Sequence, residues 1–261
     1  MDLGIKGKTA LVLGAGGGLG SAVCLALARE GVRIALADVN ADALDATRAR
    51  LAETGVPVAA RVWDLSAVDR IDEHLAAIEA ALGPVDILFN NTGGPALSPA
   101  HVCQEDVWEQ QFRAMALSVM AITAKVLPGM RERRWGRIVT SASSGVVAPI
   151  PNLAVSNALR LALVGWSKTL AREVASDGVT VNVVVPGRVA TPRVRFLDEA
   201  KAKRDGMSAN DVAAQSMASI PAGRYGTPEE YAHAVAFLAS AGASYVTGTQ
   251  LRVDGGLLAN I

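Results

Sequence analysis

The sequence predicts an α/β fold: one Rossmann-like, doubly wound sheet of seven parallel strands with helices on both faces. Two observations predict it. Short apolar runs rich in β-branched residues alternate with longer Ala/Leu-rich segments from end to end, the pattern of βαβ units rather than of separate α and β blocks. The 261 residues also suffice for one full α/β core without requiring a second domain, so residues 1–261 are read as a single unit.

Taken in order, strands are expected at Thr9–Leu13, Arg33–Ala37, Val58–Trp63, Ile87–Asn90, Arg137–Thr140, Thr180–Val185 and Gln250–Val253. Between them, helical patterns cover Leu19–Glu30, Ala41–Glu53, Ala67–Leu82, Glu105–Arg133, Leu153–Ser176 and Pro228–Ala239. The long interruption, residues 191–223, is charged and expected to be helical; a connection of that length inside a compact domain reads as a substrate lid.

Composition narrows the function classes. Half the chain is apolar and 25 basic residues balance 25 acidic ones, so there is no broad attraction to nucleic acid or to an anionic membrane, and the expected partner is a small molecule. No signal-peptide pattern opens the chain, and no apolar run reads as long enough to span a bilayer, giving the expectation of a cytoplasmic protein. Cys24 and Cys103 form no metal-ligand or redox spacing, and no metal site is expected.

The first βα turn carries the clearest chemistry. It reads Leu13-Gly14-Ala15-Gly16-Gly17-Gly18-Leu19-Gly20, directly after an apolar strand and directly before an Ala/Leu helix. Positions without side chains let the backbone approach a pyrophosphate, and the helix N-terminus offers it unpaired N–H groups and a positive dipole end. Asp38 ends the second strand about twenty residues past this turn, where a carboxylate bonds adenosine ribose hydroxyls. It would repel a 2′-phosphate. NAD(H) is therefore expected as cofactor, with NADP(H) disfavoured, and Gly17 leaves the loop without a base to reverse the preference.

With these motifs the whole chain resembles the short-chain dehydrogenase/reductase family, in particular its 3-oxoacyl reductases. Asp64-Leu65 resembles the adenine-contacting pair, and Asn90-Asn91-Thr92-Gly93 resembles the Asn-Asn-Ala-Gly segment. Pro186-Gly187, with Val189 and Thr191, resembles the loop at the nicotinamide end, while Arg224 to Glu230 and Val253 to Gly256 resemble the C-terminal signatures. The resemblance implies an alcohol or carbonyl substrate and a cofactor held by Gly14, Gly17, Gly18, Leu19, Gly20, Asp38, Asp64, Leu65, Asn91, Thr92, Gly93, Pro186, Gly187, Val189 and Thr191.

Family members usually place a Ser after the fifth strand, a Tyr and a Lys four residues apart on the next helix, and an Asn on the preceding helix. This chain departs from that set. Matching Ser156-Asn157-Ala158 to the usual Ser-Lys-Ala puts Asn157 at the Lys position and Leu153 at the Tyr position, and Met115 falls where the Asn is expected. Ser143 matches the Ser, with Ser141 and Ser144 as alternatives. Asn157 is expected to donate its amide to ribose hydroxyls. All three tyrosines lie in the C-terminal segment, away from the expected pocket, so the proton is expected from water, the substrate or a residue such as His101. Lys168 lies too far along the helix, and Arg188, Arg193 and Arg195 are candidates to hold an anionic substrate group.

The reading is an NAD(H)-dependent oxidoreductase with an atypical site. Its rivals are a catalytically silent NAD-binding protein, acting as redox sensor or partner subunit, and an enzyme that uses bound NAD structurally. The helix from Leu153 carries more apolar surface than one sheet-facing stripe requires, so with Glu105–Arg133 it is expected to form a homo-oligomer, a dimer or a tetramer.

Overall fold

In the computed structural model, which describes residues 2–261, seven parallel strands form one sheet in the order β3-β2-β1-β4-β5-β6-β7. The strands are β1 Thr9–Leu13, β2 Arg33–Asp38, β3 Val58–Val62, β4 Ile87–Asn90, β5 Gly136–Ser141, β6 Val179–Pro186 and β7 Gln250–Val253. The chain builds outward from β1 to β3, then returns to β4 on the other side of β1. That reversal opens a crevice at the carboxyl ends of β1 and β4.

Period-2 alternation sends each strand's side chains into two cores. Val12, Ile34, Phe89, Val139 and Val184 pack under α1 (Gly18–Arg29), α2 (Ala41–Leu51) and α9 (Pro228–Leu238). Leu11, Ala35, Leu88, Ile138 and Val181 face α3 (Ile71–Leu82), α5 (Ser118–Glu132) and α6 (Ala154–Val174).

The predicted helix Glu105–Arg133 is resolved into α4 (Glu105–Phe112), one π turn at Arg113–Leu117, and α5. By length and mean hydropathy this stretch is apolar enough to cross a membrane, although charged residues such as Arg113 and Lys125 interrupt it, so it is not the uninterrupted apolar run that the sequence lacks. Its apolar face is a core face here: Ile122, Val126 and Met130 sit in the second core, and Met115 packs on α6. The charged interruption forms two helices, α7 (Pro192–Asp205) and α8 (Ala209–Ala218).

Two glycines fix the first turn. Gly14 adopts φ +63°, and a β-carbon there would stand 2.7 Å from the Asn91 amide nitrogen, so the turn after β1 seats directly against the loop after β4. At Gly20 a β-carbon would come within 2.0 Å of the Gly14 carbonyl oxygen, so α1 reaches the turn only because this position is bare. Gly20→Ala should therefore force α1 away from the turn and cost about 1–3 kcal/mol, as overpacking of a close contact does. Urea denaturation of the purified variant checks this; unchanged stability would mean the contact relaxes freely.

Candidate active site

The crevice is a cleft of about 960 Å³ that runs from the end of β2 across the carboxyl ends of β1, β4 and β5 to α7. At the β2 end, one Asp38 oxygen accepts the Gly16 N–H at 3.0 Å and the other accepts the Asn40 N–H at 3.0 Å. The carboxylate is thus aimed at the glycine turn by two backbone donors. Gly14, Gly16, Gly17, Gly18 and Leu19 line the cleft beside it. Gly18 sits under Thr191, whose methyl would lie 2.9 Å from an added β-carbon, so the turn and the start of α7 enclose the same space.

Across the crevice, Asn91, Thr92 and Gly93 line the wall after β4, and Pro186, Gly187, Val189 and Thr191 line the wall after β6. Asn91 donates to the Gly14 carbonyl at 3.4 Å, and the Thr92 hydroxyl is buried without a partner. This donor set fits a dinucleotide: bare backbone for the phosphates, a carboxylate for ribose hydroxyls and an orphaned hydroxyl farther along.

Two predicted contacts are placed differently. Asp64 is exposed, accepts the Ser66 N–H at 2.9 Å and is absent from the cleft wall; Leu65 and buried Trp63 line it instead. Gly20 acts behind the turn rather than in the cleft. Sequence reasoning missed Trp63 because it was assigned to the strand, whereas β3 stops at Val62.

At the β5 end the helix register decides the chemistry. Ser141, Ser143, Ser144 and Leu153 all line the cleft, and the Ser143 hydroxyl accepts the Gly145 N–H at 3.1 Å. Asn157 does not line it. Its carboxamide donates to the Ile150 carbonyl at 2.9 Å and accepts the Ile150 N–H at 3.4 Å, pinning the loop before α6. The pair four residues apart on the cleft face of α6 is Ser156 and Arg160, so the expectation that Asn157 meets a ribose is corrected: a helical step of about 100° per residue turns it off that face. Met115 is likewise off the cleft, buried against Val155 and Leu159.

Arg160 is the residue that sequence reasoning overlooked. Its guanidinium donates to the Ser141 carbonyl at 3.1 Å and to the Thr92 and Gly93 carbonyls at 3.2 and 3.3 Å, joining β5 to the loop after β4. It is 8% exposed and has no carboxylate partner, and burial first, with Arg193 nearby, pulls its pKa down to about 10. A signal was available: it is the only charged residue between Ala154 and Ser167.

The tyrosines stay off the cleft wall. Tyr231, fully buried on α9, donates its hydroxyl to the Ser141 hydroxyl at 2.8 Å, so one phenol does reach the cleft wall through an intermediary. Desolvation holds that phenol well above its ordinary range. His101 is exposed and outside the cleft. Lys168 bonds the Gly248 carbonyl at 2.9 Å. Of the three lid arginines, Arg188 pairs with Asp198 at 2.6 Å, Arg193 lines the cleft and donates to the Pro95 carbonyl at 2.8 Å, and Arg195 is exposed away from it.

A parallel sheet with a glycine turn and carboxylate at its switch point defines a nicotinamide-dinucleotide-type Rossmann domain. The chain belongs to the short-chain dehydrogenase/reductase family: the family described as Enoyl-(Acyl carrier protein) reductase matches residues 14–258. The chain is 36% identical to the Escherichia coli 3-oxoacyl-acyl-carrier-protein reductase FabG over 257 residues, 98% of this chain and 99% of that one. It superposes on the L-sorbose reductase of Gluconobacter frateurii, solved with NADPH and L-sorbose, with TM-score 0.94 at 30% identity over 100% of both chains. With NAD+-bound xylitol dehydrogenase the TM-score is 0.90 at 31% identity, covering 97% of this chain and 99% of that one.

The Asn157 clamp is directly testable. Asn157→Leu should cost about 1–3 kcal/mol of stability by stranding the Ile150 backbone groups, while dinucleotide affinity changes by less than about tenfold. Chemical denaturation and titration calorimetry on the same variant separate the two effects. Unchanged stability with a larger affinity loss would return Asn157 to the ribose.

Proposed function

We propose that the protein is an NAD(H)-dependent oxidoreductase interconverting an alcohol and a carbonyl, with 3-oxoacyl compounds as the leading substrate class, and that Ser156 and Arg160 stand where relatives carry the Tyr and Lys. The single observation that carries this reading is the continuous cleft from Asp38 to Ser143, wide enough for a dinucleotide and a small substrate together. The helices α7 and α8 act as its lid.

Asp38, Gly14, Gly16, Gly17, Gly18, Trp63, Leu65, Asn91, Thr92 and Val189 would hold the dinucleotide, which when bound supplies a hydride donor or acceptor. The chain's own residues do the rest. Ser143 presents a hydroxyl whose proton is free to donate to a substrate oxygen, because its oxygen already accepts the Gly145 N–H. Arg160 supplies fixed positive charge at the same end, favouring negative charge that develops there. It keeps its proton at neutral pH, so it is not the acid. The proton reaches the substrate oxygen from water entering the cleft or from Lys201 of α7, which lines it.

The silent-binder reading is favoured by one specific observation: among the described residues the cleft wall contains no His, Tyr or Glu, its one carboxylate, Asp38, lies at the far end, and its one lysine, Lys201, comes from the lid helix α7 rather than from α6. A positioned acid typically contributes ~10²–10⁴-fold, so turnover should be low compared with relatives that possess one.

The reading includes a homo-oligomer, since Leu161 and Phe112 are exposed on α6 and α4, and a cytoplasmic location, since both cysteines are unpaired. Light scattering at micromolar concentration should report a dimer or tetramer; a monomer would remove the oligomer from it. Asp38 motivates the cofactor choice. Calorimetry should show NAD(H) binding at least about tenfold more tightly than NADP(H), and Asp38→Ala should narrow that gap. Equal or tighter NADP(H) binding by the unmodified chain overturns the assignment. In a screen of 3-oxoacyl and simple carbonyl substrates followed at the nicotinamide absorbance, Ser143→Ala should lower kcat/KM by about 1.5–3 kcal/mol in transition-state terms, the range for a bond to a charged oxygen. Tight NAD(H) binding with no turnover on any substrate would favour the silent binder.

A further inference from the structure

We propose that Arg160 and Arg193 form a subsite for a carboxylate, so that the substrate is an anionic 3-oxo or hydroxy acid rather than a neutral carbonyl compound. Calling the ligand a substrate rests on the oxidoreductase reading; the subsite itself does not.

Both guanidiniums grip one short loop. Arg160 donates to the carbonyls of Thr92 and Gly93, and Arg193, coming from α7, donates to that of Pro95. Between these anchors, the Arg193 guanidinium lies 2.9–3.0 Å from where a β-carbon on Gly94 would stand. Two cations are therefore brought to adjacent residues of one segment, both on the cleft wall, and neither has an acidic partner. Arg160 is buried and Arg193 is half-buried, and desolvation lowers the pKa of each.

The nearby acids are already committed or remote. Asp198 accepts from Arg188 at 2.6 Å and from the Tyr225 hydroxyl at 2.7 Å. Asp38 sits at the end of β2, three strand positions from β5, roughly 14 Å at ~4.8 Å per strand. Backbone carbonyls satisfy donors but supply no net charge, so two desolvated like charges remain in mutual repulsion. An anion between them removes both costs. Arg193, with only its bond to Pro95 committed, offers a guanidinium fork to a planar carboxylate, Arg160 adds fixed positive charge, and the hydroxyls of Ser143 and Ser156 line the same wall for the neighbouring oxygen.

The rival source of negative charge is the phosphate of the dinucleotide, and the test separates the two. Acetoacetate and its neutral ethyl ester would be titrated calorimetrically into the free protein and into protein saturated with NAD+. Acetoacetate should bind in both states, the ester more weakly, and Arg193→Gln should weaken acetoacetate by about tenfold or more while leaving the ester unaffected. Arg160→Met should act in the same direction, and Arg160→Lys should recover part of the loss. Should the Arg160 variants fail to fold, the exposed side of Arg193 keeps Arg193→Gln decisive. Equal binding of acid and ester, or no effect of Arg193→Gln, overturns the proposal. So does loss of acetoacetate binding on NAD+ saturation, which assigns the two arginines to the cofactor's phosphate. Binding of acetoacetate with these preferences but without turnover supports the subsite while removing the oxidoreductase reading.

Discussion

Burying a guanidinium with no carboxylate beside it is the constraint around which the cleft is arranged. Arg160 replaces water with three backbone carbonyls, and at ~1.5–3 kcal/mol for each bond to a charged donor these roughly offset a desolvation penalty of several kcal/mol. The balance holds only while Ser141, Thr92 and Gly93 stay where they are. The end of β5 and the loop after β4 are therefore fixed relative to each other by the same residue that charges the site. Because Gly14 is seated against Asn91, the glycine turn inherits that placement, and both ends of the cleft are coupled through one wall.

Ser141 is the second member of this arrangement. Its carbonyl accepts from Arg160 while its hydroxyl accepts from Tyr231, so one residue at the end of β5 connects α6 on one face of the sheet to α9 on the other. A charged donor on one side and a neutral phenol on the other leave the Ser141 hydroxyl proton free. Tyr231 itself is shut away from the cleft, where desolvation disfavours its ionisation, and its hydroxyl orients that of Ser141.

The fold was largely legible because its determinants are local. Strand runs such as Thr9-Ala10-Leu11-Val12-Leu13 are apolar on both faces, as buried parallel strands must be, and the glycine turn follows the first of them. That Asp38 and the glycines line the β2 end of the cleft was legible for the same reason, since backbone geometry that sequence position nearly determines puts them there. The β5 end was not. Leu153 and Asn157 have the right spacing, but α6 begins only at Ala154, and the Asn157 amide is drawn to Ile150. Which face of α6 meets the cleft depends on tertiary packing, and a three-residue displacement hid both Ser156 and Arg160. Asp64 and Trp63 show the same limit at β3, where a strand one residue shorter puts the indole rather than the carboxylate on the wall.

The corrected register changes what the substitutions mean. Read as Leu153 and Asn157, the site had lost the phenol and the cation but kept Ser143 and an amide for ribose hydroxyls. On the reading proposed above, Ser156 and Arg160 bring a hydroxyl and a cation to the cleft wall and no phenol. A lysine beside a tyrosine works by lowering the phenol's pKa. A buried arginine beside a serine has no such partner to tune, because a hydroxyl does not ionise in that range, and so its charge acts on whatever occupies the cleft. With Asp38 negative at one end and Arg160 and Arg193 positive at the other, the cleft carries an axial polarity of its own. A ligand that places hydroxyls at the β2 end and negative charge at the β5 end is favoured at both, and the reverse orientation is opposed at both.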